Sequence, residues 1–393
     1  MRTMPTPVSR LLGTITPLGR SVICLGLAGW GGAWFTGWEE LAVAAATFLL
    51  AAIAAIGFTV GRNEFAVELT LEPQRVTVGK RASGQLLVTN TGGRRSLPAS
   101  VELKVGSATP TFRVPTLADG EGHDELFSVP TNRRAVITVG PASTVRGDPI
   151  GLLRREQPWT ETIDLFVHPR IAPLDRLGSG FLRDLEGQTT QDLSPSDVAF
   201  HTLREYVPGD DLRHIHWKTT ARIGTMMVRQ FVDTRRSLLA VLVGTDPSEY
   251  ASEDEFELVV SIAASIGVRA LRDEQNVHFI AGRREVPSIT AVHLLDSTSA
   301  IDSTPGTGSL DDAVSEANRI AADASIVAIA VGSETPLAEL RGSISRLKAD
   351  SRVLLLRADI GGASEVRTFG NIVLFNVPDL AEFGRLMFQA SNG

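Results

Sequence analysis

The sequence predicts a mixed chain that combines a helical membrane hairpin, an all-β sandwich and a doubly wound α/β domain. Two apolar runs stand near the N-terminus on either side of Glu39-Glu40. Short runs of alternating apolar and polar residues fill 63–170, as in antiparallel sheets. From 238 to 393, near-continuous apolar strands alternate with amphipathic helices, which is typical of a parallel sheet covered on both faces.

Composition excludes some classes of protein. The chain has 393 residues, enough for about two to three domains. Its net charge of −7 does not mark it as a general binder of nucleic acids. Cys24 is the single cysteine, so no disulfide can form within one chain, which fits a reducing compartment.

The predicted hairpin covers 21–62 and follows a basic tail at 1–20. Leu41–Val60 is an uninterrupted apolar run long enough to span a bilayer as a helix. The first run is shorter and rich in glycine, with tryptophans suited to a membrane interface. The alternative is a signal peptide from Arg10 to about Gly37. After that point the sequence has a second apolar span instead of a cleavage site and a polar mature sequence, which disfavours the signal peptide.

Charges around the hairpin predict its orientation. Arginines flank the two open ends, and the two glutamates lie at the tip; the arginines are Arg2, Arg10, Arg20 and Arg62. By the positive-inside rule both ends face the cytoplasm. We therefore expect a multi-pass protein of the bacterial cytoplasmic membrane, with its other domains in the cytoplasm.

Residues 63–170 predict a sandwich of immunoglobulin-like type. Strand-like runs such as AVELTLE and ASVELKV are separated by turn signals at Glu72-Pro73, Asn90–Gly93 and Asp119-Gly120. Regular short strands with such punctuation favour an antiparallel sandwich. Arg146-Gly147-Asp148 spells an adhesion tripeptide, but a turn before Pro149 is the preferred interpretation.

The densest cluster of charged, aromatic and turn residues lies in 197–231, within a segment at 171–237 that begins as a linker. Pro208 and Gly209 predict a type II turn in which Gly209 takes a positive φ. Asp210 or Asp211 is placed to cap one short helix, and Gly224 to end it. A strand before the turn and another after the helix complete the prediction.

The run LREYVPGDDLRHIHWKTTAR, Leu203–Arg222, resembles the signature of the bacterial "domain of unknown function 58" family. We call it the signature segment. The residues that carry the resemblance are Arg204, Glu205, Tyr206, Pro208, Gly209, Asp210, Asp211, Arg213, Trp217, Lys218 and Arg222. The resemblance implies two membrane helices, a β-domain and a von Willebrand factor A-like domain at 238–393, and no established activity.

The signature segment has two interpretations. The favoured one is a structural clasp between sandwich, linker and α/β domain, with some exposed charges left for a partner. If the ring of Trp217 is buried in the core, its truncation should cost about 3–5 kcal/mol, and if Lys218 is an exposed partner contact, its truncation should hardly alter stability. The alternative is the catalytic site of an envelope hydrolase or transferase. Anionic lipid headgroups are a further possible partner of the basic groups, which the nearby acids weaken. His214 and His216 are two apart and would not converge on a metal from a helix.

The loop after the first strand of the α/β domain is a weak candidate for a metal site. A-like domains hold a divalent cation on Asp-x-Ser-x-Ser, and here Asp246 and Ser248 match while Tyr250 replaces the last serine. We therefore expect no metal there, and no cofactor or catalytic residue anywhere in the chain. A metal-dependent adhesion module remains a third alternative.

The expected function is that of a membrane-anchored, non-enzymatic scaffold or adaptor. Families of this kind are often encoded beside MoxR-type AAA+ ATPases, so the resemblance implies such an ATPase as partner. The expected contact is an acidic cluster at the carboxyl end of the sheet, formed by Asp246, Glu249, Glu253, Asp254 and Glu255. No nucleic acid or small-molecule substrate is expected.

Overall fold

The computed structural model describes residues 14–59, 64–175, 199–208, 210–232 and 238–392. The chain divides into two compact units, Met1–His168 and Pro169–Gly393. Most of the predicted linker, the basic tail before residue 14, Arg62 and Gly209 lie outside the described residues.

The first unit begins with two helices that pack against each other. They are α1 (Pro17–Thr36) and α2 (Glu39–Thr59), joined by Gly37 and Trp38. The contact is close because glycines of α1 face α2: an added Cβ would lie 3.0 Å from Leu49 at Gly26 and 3.2 Å from Ala45 at Gly29. Small residues let two helix backbones approach closely. Such packing matters for apolar helices in lipid, because no hydrophobic driving force brings them together there.

Of the helices in the described ranges, one stretch, Glu39–Gly57 of α2, is long and apolar enough to cross a membrane. A signal sequence near an N-terminus meets the same criterion. The structure thus agrees with one membrane-crossing helix, while the multi-pass arrangement and its orientation stay predictions.

The rest of the first unit consists of two β-sheets around a shared core. The nine strands are β1 (Phe65–Glu72), β2 (Arg75–Thr77), β3 (Ala82–Asn90), β4 (Ala99–Val105), β5 (Thr111–Val114), β6 (Gly122–Val129), β7 (Ala135–Gly147), β8 (Arg154–Pro158) and β9 (Ile163–His168). One sheet has the order β1-β3-β6; the other has β2-β9-β7-β4-β5, with β8 paired to β7. Alternate residues point inward, among them Leu86 and Leu103, which are fully buried. The predicted strand-rich region is therefore a two-sheet sandwich.

The second unit contains a hairpin and an α/β fold. The hairpin elements are β10 (Ala199–Glu205), α3 (Trp217–Ile223) and β11 (Met227–Val232). The α/β elements are β12 (Leu238–Val243), α4 (Glu253–Arg272), β13 (Asn276–Ala281), β14 (Arg284–Val286), α5 (Ala291–Thr298), α6 (Leu310–Ile320), β15 (Ile326–Val331), α7 (Leu337–Ser345), β16 (Arg352–Ala358), β17 (Glu365–Phe369), β18 (Ile372–Val377) and α8 (Leu380–Asn392).

The seven strands of this fold have the order β14-β13-β12-β15-β16-β18-β17, and the five inner strands are parallel. Two separate cores cover the two faces of the sheet. One includes Phe279 and Phe383; the other includes Leu242 and Leu310. Strands buried on both faces explain the near-continuous apolar runs of the sequence. Ala172 and Leu174, at the start of the predicted linker, are buried in the first of these cores.

Candidate functional site

The signature segment forms most of a small hairpin. Strands β10 and β11 pair in antiparallel fashion, and the main-chain N–H of Tyr206 donates to the carbonyl of Met226 at their ends. The N–H of His216 donates to Met227, which ties the inserted segment back onto β11. The signature is therefore a closed local element with its own hydrogen bonds.

An ion pair fixes the turn of this hairpin. The guanidinium of Arg204 donates to both carboxylate oxygens of Asp210 at 2.7 and 2.6 Å, and the N–H of Val207 donates to the same carboxylate. The hydrogen bond from Arg204 holds the pKa of Asp210 below its usual range. Bidentate arginine–carboxylate pairs fix geometry as well as charge. The predicted positive φ of Gly209 falls on a residue outside the described ranges.

The prediction of one helix after the turn is wrong, because the segment divides in two. Asp211 caps a single 3-10 turn, Leu212–His214, through the N–H of Arg213. Ile215 is then buried and forms a bridge to Val228 in extended geometry. Helix α3 begins after His216, whose Nδ1 accepts from the N–H of Thr219 at 3.2 Å. Histidine is not among the residues usually found at helix N-caps, so no sequence pattern indicated that a second helix begins after His216.

The end of α3 agrees with the sequence. Gly224 caps the helix with φ 85°, in the left-handed region that glycine adopts without strain. The hydroxyl of Thr220 accepts from the N–H of Met227 at 3.0 Å, so the inner side of α3 is bonded to β11.

Exposure in the signature segment decides whether Trp217 belongs to the core. Its ring does not, because 67% of its surface is exposed. Arg213, Lys218 and Arg222 are exposed with it, whereas His214 and His216 are half-buried. The ring of Trp217 is on the outer side of α3, because the inner side is taken by Thr219 and Thr220. A single tryptophan in a charged segment does not reveal from sequence which side of a short helix it occupies.

We expect Trp217→Ala to lower the free energy of unfolding of this hairpin by less than about 1 kcal/mol, because exposed side chains contribute little. Ile215→Ala is the matched comparison. Ile215 is 4% exposed, so its truncation should cost about 2–4 kcal/mol. Hydrogen exchange of β10 and β11 amides in the full chain measures both. A larger loss for Trp217→Ala than for Ile215→Ala would show that the tryptophan is part of the core.

A second group of polar side chains lies at the carboxyl ends of β12 and β15. These neighbouring strands continue into helices on opposite sides of the sheet, the position where doubly wound folds bind ligands. Glu249 and Glu255 are buried there, with 6% and 2% of their surface exposed. Both glutamates hold loops that come from distant parts of the chain.

Glu249 anchors the start of α6. Its Oε1 accepts from the N–H of Leu310 at 2.7 Å, while Oε2 is buried without a hydrogen-bond partner among the described residues. Burial raises the pKa of Glu249 to about 7; the bond from Leu310 opposes this, and the charges of Glu339, Asp246 and Asp311 add to it. Gly244 is required opposite this carboxylate, because an added Cβ would overlap Oε2.

Glu255 anchors the loop after β15. It accepts from the N–H of Ser333, and from the Ser333 hydroxyl at 2.9 Å. The hydroxyl of Tyr250 donates to the carbonyl of Gly244 at 2.5 Å, which closes the loop between β12 and α4 on itself. Tyr250, noted in the sequence as a departure from the metal pattern, is thus a buried loop anchor.

The predicted acidic face is therefore smaller than expected. Glu249 and Glu255 point inward and cannot contact a partner. Glu253 and Asp254 are exposed in the first turn of α4, where the helix dipole favours acids. The sequence did not distinguish the buried acids from the exposed ones, because all five lie within ten residues.

Asp246 and Ser248, the weak metal candidates, bond to each other. Asp246 accepts from the N–H and the hydroxyl of Ser248 at 3.0 and 2.7 Å, and these bonds lower its pKa. Within the described ranges, no group of three or more His, Cys, Asp or Glu residues is arranged to hold a metal. Metal binding by Asp246 stays untested by this geometry.

The fold and the signature together define a class of protein: a pair of apolar helices, a β-sandwich and an α/β fold with a charged hairpin. Residues 202–299 match the family described as "Protein of unknown function DUF58". The resemblance read from the signature segment is thereby confirmed over that part of the chain.

One curated relative is an uncharacterized protein of Bacillus subtilis, YeaD. It is 31% identical over 122 residues, which are 30% of this chain and 29% of YeaD. The chain thus matches less than a third of that relative's length.

Two solved structures are each slightly similar to part of this chain. The crystal structure of a CARDB domain from Pyrococcus furiosus, in complex with di-metal ions, is 18% identical and covers 27% of this chain and 93% of its own, with a TM-score of 0.21. The sporulation control protein Spo0M of Bacillus subtilis is 16% identical over 37% of this chain and 58% of its own, with a TM-score of 0.18. At these scores neither likeness supports an inference.

Proposed function

We propose that the chain is a membrane-anchored, non-enzymatic scaffold or adaptor that presents a client protein to a MoxR-type AAA+ ATPase. The anchor is the pair α1 and α2, with both ends in the cytoplasm. The observation that carries the proposal is the carboxyl edge of the seven-stranded sheet, where buried acids hold the loops together and exposed acids remain outside.

The strand order supports the finer fold assignment. An inner β12 flanked by β13 and β15, with helices on both faces, is consistent with a doubly wound domain of von Willebrand factor A-like type. The two-sheet sandwich likewise supports an immunoglobulin-like domain.

The use of the acids supports a role without catalysis. Glu249 and Glu255 each accept a main-chain N–H from another loop, so their carboxylates serve to fix backbone. Asp210 is likewise held by Arg204. Structural hydrogen-bond networks also perturb pKa values, so the raised pKa of Glu249 does not by itself require a catalytic role.

The partner is the one that the resemblance to the family implies, and two features of the chain support it. The sequence contains no phosphate-binding loop, so energy-driven remodelling would need another protein. Glu253 and Asp254 are exposed beside the usual ligand crevice and suit a basic surface. Contacts of this kind weaken with salt.

The test is capture of a purified MoxR-type ATPase by the full chain in detergent, with and without nucleotide. We expect Glu253→Lys combined with Asp254→Lys to reduce capture at least about tenfold, because two favourable charges become repulsive. The matched control is Asp323→Lys with Asp350→Lys, which makes the same charge change in the exposed turns that precede β15 and β16, at the opposite edge of the sheet.

The outcomes test two claims separately: that the ATPase is the partner, and that Glu253 and Asp254 form the contact. If the unmodified chain captures no ATPase with or without nucleotide, the proposed function is wrong. If both double variants capture it equally well, the partner stands and the contact lies elsewhere.

A further inference from the structure

The signature hairpin carries a group of exposed apolar and basic side chains, on its 3-10 turn and on the outer side of α3, that its own fold does not use. We call it the signature face; it consists of Leu212, Arg213, Trp217, Lys218 and Arg222. Leu212 and Trp217 are 61% and 67% exposed. These large apolar surfaces remain in contact with water in the folded hairpin.

The internal bonds of the hairpin lie on the other side. Ile215 and Val228 are buried, and His216 and Thr220 bond to the backbone around them. On a helix, Trp217, Lys218, Ala221 and Arg222 project to one side, away from Thr219 and Thr220. The signature face is therefore available for a contact outside the hairpin.

The charge of this region is opposite to that of the chain. The described residues 199–208 and 210–232 contain five arginines or lysines and three acids, in a chain of net charge −7. Asp210 is paired with Arg204, and Asp211 accepts from the N–H of Arg213. Two of the three acids are thus engaged within the hairpin, Asp210 at its turn and Asp211 as the cap of the 3-10 turn. Arg213, Lys218 and Arg222 are exposed.

An exposed tryptophan among arginines and lysines has the chemistry of a bilayer interface. Tryptophan places an apolar ring and a polar N–H at headgroup depth, and basic side chains are attracted to anionic headgroups. A basic protein would be repelled by this face, whereas an anionic bilayer offers phosphates to the basic groups and apolar chains to Trp217 and Leu212. The chain also carries a helix long and apolar enough to cross a membrane.

We infer that the signature face of this protein lies in the headgroup region of an anionic bilayer, with Trp217 and Leu212 inserted and the three basic side chains bound to lipid phosphates. The inference rests on the proposed membrane anchoring. It assigns the signature segment a second contact, separate from the acidic ATPase face.

The experiment uses the full chain with Cys24→Ser and Ala221→Cys, labelled at position 221 with an environment-sensitive fluorophore. It is reconstituted into vesicles of phosphatidylcholine alone or with about 30% phosphatidylglycerol, each with nitroxide-headgroup lipid as quencher. We expect at least about twofold quenching in the anionic vesicles, little in the neutral ones, and a loss at high salt.

Paired variants identify the side chains responsible. Lys218→Glu with Arg222→Glu should abolish the quenching, while Arg341→Glu with Lys348→Glu, an equal charge change on exposed positions elsewhere, should retain it. Unaltered hydrogen exchange of β10 and β11 confirms that the hairpin is folded. Equal quenching in both double variants, or none with the unmodified face in anionic vesicles, would overturn the inference.

Two further readouts separate this proposal from the others. ATPase capture by the same vesicles should be unaffected by Lys218→Glu with Arg222→Glu, since that contact uses Glu253 and Asp254. A chain that fails to remain with vesicles of either composition would disprove the anchor, whereas an anchored chain without quenching disproves only the lipid contact. Shielding of the label that requires added ATPase, in neutral vesicles as well, would make the face a protein contact and overturn the inference.

Discussion

Gly332→Ala should be among the most destabilising single substitutions in the α/β fold, with a loss of about 3 kcal/mol or more in its free energy of unfolding. Gly332 follows β15 directly, where the loops at the carboxyl edge meet. An added Cβ would overlap the main-chain oxygen of Glu249 and lie 2.5 Å from Oε1 of Glu255 and 2.6 Å from the ring of Tyr250. Backbone and two buried side chains would have to move together.

Gly342→Ala is the control. It lies within α7, and no atom is within 4 Å of its added Cβ. Alanine there should stabilise the helix by about 0.5–1 kcal/mol, because glycine costs more backbone entropy. Hydrogen exchange of β12 and β15 amides in the full chain, in increasing urea, compares the two variants. A loss at Gly332 no larger than about 1 kcal/mol would mean that the carboxyl-edge loops are loosely packed.

The stability of the α/β fold should fall as pH rises from about 4.5 to about 7, through Glu249. The pKa of this carboxyl is raised from 4.5 to about 7 by burial. Between those values the folded state binds more protons than the unfolded state, so stability decreases with pH; above about 7 the contribution is constant. The upper limit of the effect is about 3 kcal/mol.

Glu249→Gln isolates this contribution, because an amide carries no charge and its oxygen still accepts from Leu310. Near pH 5 the variant and the unmodified chain should have similar stability. Near pH 8 the variant should be more stable by up to about 3 kcal/mol. The measurement is urea-dependent hydrogen exchange of β12 and β15 at both pH values. A difference that does not change with pH would show that Glu249 ionises freely in the folded protein.

The two predictions describe one feature, the edge at which β12 and β15 end. Glu249 and Glu255 each bind a main-chain N–H of a loop far along the chain, and Gly244 and Gly332 leave room for them. The edge is thus preorganised by buried acids. In the proposed adaptor, such an edge would hold Glu253 and Asp254 in fixed positions on the outside.

Several features were predictable because their causes lie within a few residues. Ser309 and Asp312 form a capping box at the start of α6, a pattern three residues apart in the sequence, and Gly224 ends α3 as expected. The amphipathic helices expected from 238 to 393 include α4 at Glu253–Arg272, whose buried residues recur at helical spacing. Helix α5 and the short edge strands β14 and β17 were missed, since short elements carry weak periodicity.

The sequence by itself determined the alternation of strands and helices, the strand-rich middle, the apolar α2 and the signature segment, because periodicity, caps and turns act locally. Only the tertiary structure decided which acids are buried and which are exposed. Glu249 and Glu255 differ from Glu253 and Asp254 through hydrogen bonds to residues 61 and 78 positions away. The outward position of Trp217 has a similar origin: Ile215 fills the small core of the hairpin through its bridge to Val228, and the threonines of α3 bond to the cap and to β11. Such contacts depend on how distant segments meet, and no local pattern encodes them.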